Sequence, residues 1–210
     1  MTISLAHLRQ PQRNEAGPAS EPLQLLPPPA LRLVPQPEGL LQIHTAPFRG
    51  SFASVFSQAL RSAGLGSRVL VSQFLKGGVE QGVEGSLWLC GRLQWLRPAT
   101  PHCLDGPALD GPAAAPSSAA ADPSVEAVET LAAVRAVWAF SREHLLRGSV
   151  DLLVLDELGL AIELGYLEAN EVTATLEQRP EQLDVILTGP AMPADLIAMA
   201  DQVTELRRGF

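Results

Sequence analysis

Short apolar runs alternate along the chain with longer stretches of helical periodicity. Leu40 to Thr45, Arg68 to Phe74, Val150 to Glu157 and Asp184 to Gly189 read as strands. The run VDLLVLDE (Val150 to Glu157) is almost continuously apolar, as expected of a central parallel strand covered on both faces. Helices are predicted over Ala53 to Ala63, Val125 to Arg147, Glu168 to Gln178 and Pro193 to Ala200. The longest has Asp122 placed to accept from first-turn amides, Pro123 at its first helical position and Gly148 to end it. Pro180 stops the next. Ser86 to Leu96 gives a mixed signal, a helical turn running into a short strand near Leu93 to Leu96, and Gln202 to Arg208 reads as a last, edge-like strand. The alternation predicts a single α/β domain built on an open, mostly parallel sheet flanked by helices.

Two segments fall outside that pattern. Residues 1 to 38 carry Pro11, Pro18, Pro22, Pro27, Pro28, Pro29, Pro35 and Pro37. Each proline removes a backbone donor and fixes φ, so the stretch reads as a flexible arm preceding the domain at 39–210. Residues 97 to 124 are rich in Ala and Pro and poor in large apolar side chains, which predicts a low-complexity, mobile insertion and a poor place to look for chemistry.

Composition narrows the function. The net charge of −8 and the scattered basic residues argue against nucleic acid, whose affinity rests on Lys and Arg neutralising phosphates. No signal-peptide pattern opens the chain and no apolar run reaches the roughly 18 to 20 residues that span a bilayer. Cys90 and Cys103 lack ligand spacing and read as incidental thiols of a reduced, cytoplasmic protein. His44 lies in an apolar strand and reads as a satisfied core histidine, with a ligand role as the alternative. Lys76, near the end of the second strand, reads as a surface lysine, with a phosphate contact as the alternative, and Trp88, Trp95 and Trp138 read as core or interface residues, with Trp88 and Trp95 also placed to line a groove.

The stretch TAPFRGSFAS (Thr45 to Ser54) occupies the turn between the first strand and first helix, where a mononucleotide-binding unit places its phosphate loop. Such a loop works through amides aimed at an anion, glycines that let the backbone approach, a lysine and a metal-binding hydroxyl. Here Pro47 has no amide to donate, Phe48 adds bulk, Ser51 carries no charge, and Arg49 is the only cation.

The second half carries DEL (Asp156, Glu157, Leu158), GYL (Gly165, Tyr166, Leu167), RP (Arg179, Pro180), TG (Thr188, Gly189) and DxVTE (Asp201, Val203, Thr204, Glu205). Together with ALRSAGLGSRVLVSQFLKG (Ala59 to Gly77), this order of motifs resembles the ATP:cob(I)alamin type of corrinoid adenosyltransferase over about three-fifths of the chain. The resemblance implies a P-loop NTPase-like (RecA-like) architecture. It implies a reaction in which a reduced corrinoid takes the 5′-deoxyadenosyl group of ATP with Mg²⁺ present. It also implies a phosphate site at Arg49, Gly50 and Ser51.

Measured against the family pattern, the loop glycines fall on Ala46, Phe48 and Gly50, the lysines on Arg49 and Ser51, and the first threonine on Phe52. The asparagine after Asp-Glu-Leu is Gly159, and the arginine after Thr-Gly is Pro190. By the resemblance, Asp156 and Glu157 would hold Mg²⁺ beside a bound nucleotide; the alternative is a polar pair left in solvent at a strand end. The expectation is a divergent family member without ordinary ATP-dependent activity, acting as a binding or regulatory module. The alternatives are an active adenosyltransferase using Arg49 and Asp156, and a structural role in which a sheet edge or the long helix pairs with a second copy, as in a homodimer, or with another protein.

Overall fold

The computed structural model describes residues 38–50, 52–78, 82–106 and 123–207. The elements in chain order are β1 (Leu41–Thr45), α1 (Ala53–Gly64), β2 (Val69–Gln73), β3 (Leu87–Leu89), β4 (Leu93–Leu96), α2 (Pro123–Arg147), β5 (Leu152–Asp156), α3 (Leu158–Glu163), α4 (Ala169–Glu177), β6 (Asp184–Thr188), α5 (Ala194–Met199) and β7 (Gln202–Glu205). The strands form one sheet in the order β3-β4-β2-β5-β6-β1-β7. Every neighbouring pair is parallel except the β3–β4 hairpin at one edge. This is the open, mostly parallel α/β sheet expected from the sequence, in a P-loop NTPase-like arrangement.

Period-two alternation sorts the side chains of β5 and β2 between two cores. Leu70, Leu153 and Leu155 pack with Val134, Val137, Trp138, Leu158 and Val172. Val69, Val71, Leu152 and Val154 face the opposite way, onto Phe52, Val55, Ala59 and Ala63 at the start and along the inner face of α1. All five residues of β5 are buried, which is why its sequence reads as an unbroken apolar run.

Three local readings change. Ser86 to Leu96 contains no helical turn: Leu87–Leu89 and Leu93–Leu96 pair antiparallel, and Cys90 and Gly91 take positive φ to make the turn between them. The short α3 was not legible, because its six residues follow the strand directly. His44 is not satisfied, since its Nε2 is buried with no hydrogen-bond partner among the described residues. Gly148 does end α2, with φ of +58° and its N–H donating to Leu145 O at 3.1 Å. The arm at 1–38 lies outside the described residues except for its last residue. So do Asp122 and residues 107–122 of the insertion, whereas residues 97–106 take a defined course over the strand ends.

Candidate functional site

The carboxyl ends of β1, β2 and β5 open into a cavity of about 450 Å³, the usual position for a ligand crevice in a parallel sheet. Arg49 and Gly50 line one side, and Gln73, Lys76 and Asp156 line the base. Phe56 contributes an aromatic wall, stacked on Trp95 with ring centroids 5.2 Å apart. Trp95 thus backs the groove, whereas Trp88 is exposed on the edge hairpin and Trp138 is buried in the core. Cys103 and Asp105 close the rim, from within the Ala- and Pro-rich segment 97–124.

Arg49 is the best-connected side chain of the site. Its Nε donates to Glu157 Oε1 at 2.6 Å and one terminal nitrogen to Glu157 Oε2 at 3.1 Å. That same nitrogen donates to Leu75 O at 3.4 Å. The other donates to Leu104 O at 3.1 Å and to the Asp105 carboxylate. These five bonds use all five donors of the guanidinium. The bond to Glu157 is the main cause holding Arg49 above its ordinary pKa.

The two adjacent carboxylates are not a solvated strand end: Asp156 is 3% exposed and Glu157 1%. Glu157 takes Arg49 side-on and has Lys76 Nζ at 3.4 Å from Oε1. Asp156 accepts from Thr188 Oγ1 at one oxygen and from Gln73 Nε2 at the other, the latter at 2.7 Å. Gln73 is oriented in turn by Trp95 Nε1 and Arg97 Nε, which donate to its carbonyl at 2.9 and 2.7 Å. Burial pushes Asp156 above the usual carboxylate range, opposed by its bonds to Thr188 and Gln73. Lys76 is therefore a cavity residue rather than a plain surface lysine. It is also the only lysine in the chain, a signal that was available in the sequence.

Backbone geometry holds the carboxylates in place. Glu157 caps α3 in the left-handed region at φ 61°, a conformation a non-glycine residue keeps only under constraint. Gly189, at φ +124°, supplies part of it: a Cβ there would lie 2.9 Å from Glu157 Cα. The two departures Gly159 and Pro190 meet in space, since a Cβ on Gly159 would lie 2.7 Å from Pro190 O. The loop after β6 has settled onto the first turn of α3, and an asparagine side chain at 159 has no room there.

In the loop itself, Phe52 is 2% exposed and belongs to the core under α1. Phe48 packs partly against the same core, with its ring edge 3.1 Å from where a Cβ of Gly50 would be. The structure thus brings Arg49, Gly50, Asp156 and Glu157 together, while Ser51 lies outside the described residues. In this arrangement the loop's cation has all five donors on protein acceptors, and each oxygen of both carboxylates has at least one protein partner. No group of three or more His, Cys, Asp or Glu is placed to hold a metal ion among the described residues. No helix among them is long and apolar enough to cross a membrane.

Residues 37–209 match the family model described as ATP:corrinoid adenosyltransferase BtuR/CobO/CobP. The chain is 31% identical over 169 residues to the corrinoid adenosyltransferase of Escherichia coli strain K12, covering 80% of this chain and 76% of that one. It is 31% identical over 170 residues to corrinoid adenosyltransferase CobA of Salmonella typhimurium, with the same coverage. Against the corrinoid adenosyltransferase of Pseudomonas aeruginosa it is 29% identical over 169 residues, covering 80% and 74%.

Proposed function

We propose, from the premise that the chain belongs to the ATP:corrinoid adenosyltransferase family, that it has kept the family scaffold without ordinary ATP-dependent adenosyl transfer and serves as a binding or regulatory module. The observation that carries this reading is the state of Arg49. It is the loop's single cation, and all of its donors go to protein acceptors.

The energetics agree. A charge-assisted hydrogen bond contributes about 1.5 to 3 kcal/mol, so loss of the loop lysine, the amide at Pro47 and the hydroxyl at Phe52 weakens triphosphate binding by orders of magnitude. Releasing Arg49 to a phosphate would leave Glu157 buried with only Lys76 beside it, which costs more than the new contact returns. In the family reaction the corrinoid and ATP carry the bond-making, and the protein's share is to orient them and stabilise the departing triphosphate. In the described loop the one side-chain cation, Arg49, has no donor left for that share. Its other residues hold Asp156 and Glu157 as internal anchors of the strand ends.

A second reading, active ATP:corrinoid adenosyl transfer, is favoured by Lys76 and Asp156 facing a cavity at the sheet's carboxyl end. An anaerobic assay with chemically reduced cobalamin, ATP and Mg²⁺ separates the two. The proposal expects no adenosylated corrinoid above the protein-free background, and turnover abolished by Lys76→Ala would establish the second reading instead.

A further inference from the structure

Residues 100–106 cross the mouth of the cavity and are fastened at several points. Near the root, Gly78 N–H donates to Thr100 O at 2.9 Å. Gly77 lies so close beneath that a Cβ there would fall 1.9 Å from His102 O. Midway, Leu104 N–H donates to Leu75 O at 2.9 Å, and its side chain packs at the edge of the main core. At the far end Arg49 holds Leu104 O and the Asp105 carboxylate, and Tyr166 Oη donates to Gly106 O at 3.2 Å. His102, Cys103, Asp105 and Gly106 themselves are exposed, so little apolar burial keeps this end down.

We infer that residues 100–106 form an autoinhibitory strap over the cavity, and that Arg49 is its pin. The loop that the family pattern devotes to gripping phosphate here grips the protein's own chain. One guanidinium joins the loop, the end of β2 through Leu75, the α3 cap through Glu157, and the strap through Leu104 and Asp105. Freeing the Arg49 fastening lets the exposed end lift while Thr100 stays tied at Gly78. Such local opening lies well below global unfolding, because few buried contacts are lost. The strap rests on the reading that Arg49 is not a phosphate ligand, and it adds a means of controlling access to the same cavity.

Hydrogen exchange of the full chain without nucleotide tests this directly, so failure of the strap is read separately from any adenosylation result. In Arg49→Lys the ammonium still faces Glu157 but has too few donors to hold the strap as well. The expected result is an exchange rate about tenfold faster at the Leu104 amide. Core amides such as those of Val154 and Leu187 should be unchanged. Acetylation at Lys76, resolved by peptide mass spectrometry from the lysine introduced at 49, should quicken in step, since Lys76 lines the same cavity as Cys103 and Asp105. If that variant fails to fold, Asp105→Ala cuts the same fastening from the exposed side and should give the same local signature. Unchanged exchange at Leu104 in a folded variant, or acceleration spread evenly over the core, would overturn the proposal.

Discussion

The loop at 46–52 and the strand ends at 156–157 and 188–189 meet at one cavity, yet their residues relate to the family in opposite ways. The strand ends keep the family residues, and each has an internal task. Thr188 bonds Asp156, and Gly189 packs on Glu157. Farther along, Arg179 of the RP pair bonds Asp201 of the closing motif, and Asp201 also accepts the Leu41 N–H at 2.7 Å. Tyr166 and Leu167 are buried in the main core. The loop keeps almost none of the family residues, and its replacements are absorbed into the fold: Phe52 into the core, Phe48 against it, Arg49 into an ion pair. The retained motifs make internal contacts of the fold, and the departures from the family pattern concentrate in the loop.

The contrast can be broken most forcefully at Phe52. If the loop is merely a damaged phosphate site, Phe52→Thr should be harmless, since it moves the residue toward the family pattern. The buried ring instead predicts a loss of about 4 kcal/mol in denaturant unfolding. Next comes Arg49→Met, expected to cost about 3 kcal/mol because it strips Glu157 of its bidentate partner. A loss below about 1 kcal/mol would class the pair with solvated surface bridges. Thr188→Val, which removes a donor from buried Asp156, should cost about 2 kcal/mol by the same measurement.

The smallest effect sharpens the picture at β1. His44→Leu removes a buried nitrogen without a partner and should gain about 1 kcal/mol. Burial holds His44 below its ordinary pKa of 6.5. As pH falls, the unfolded chain therefore takes the proton first. Stability from this residue is complete above pH 6.5 and is lost as pH drops toward the lower folded value. The variant should accordingly show a shallower decline in unfolding midpoint between neutral and mildly acid pH. An unchanged slope would remove His44 from the account, leaving the similarly depressed His144 as the source.

The sheet was legible because its central strands are buried on both faces and bounded by turn residues. Much less of the site could be read. Arg49, Asp156 and Glu157 stood out by motif, but their pairing joins residues 108 apart in sequence, which no local pattern encodes. Asp105 was hidden in a stretch whose Ala- and Pro-rich composition suggests a mobile insertion. Gln73 looked like an ordinary strand residue until Trp95 and Arg97 were found converging on it. Lys76 was visible by its singularity, and only the fold gives that singularity a place.

Calorimetric titration of the full chain with ATP and Mg²⁺ tests the central claim most directly. The account predicts no saturable heat below millimolar nucleotide, in the wild type and in Arg49→Met alike. Micromolar binding that Arg49→Met abolishes would show the guanidinium turning to the triphosphate, and would contradict the account.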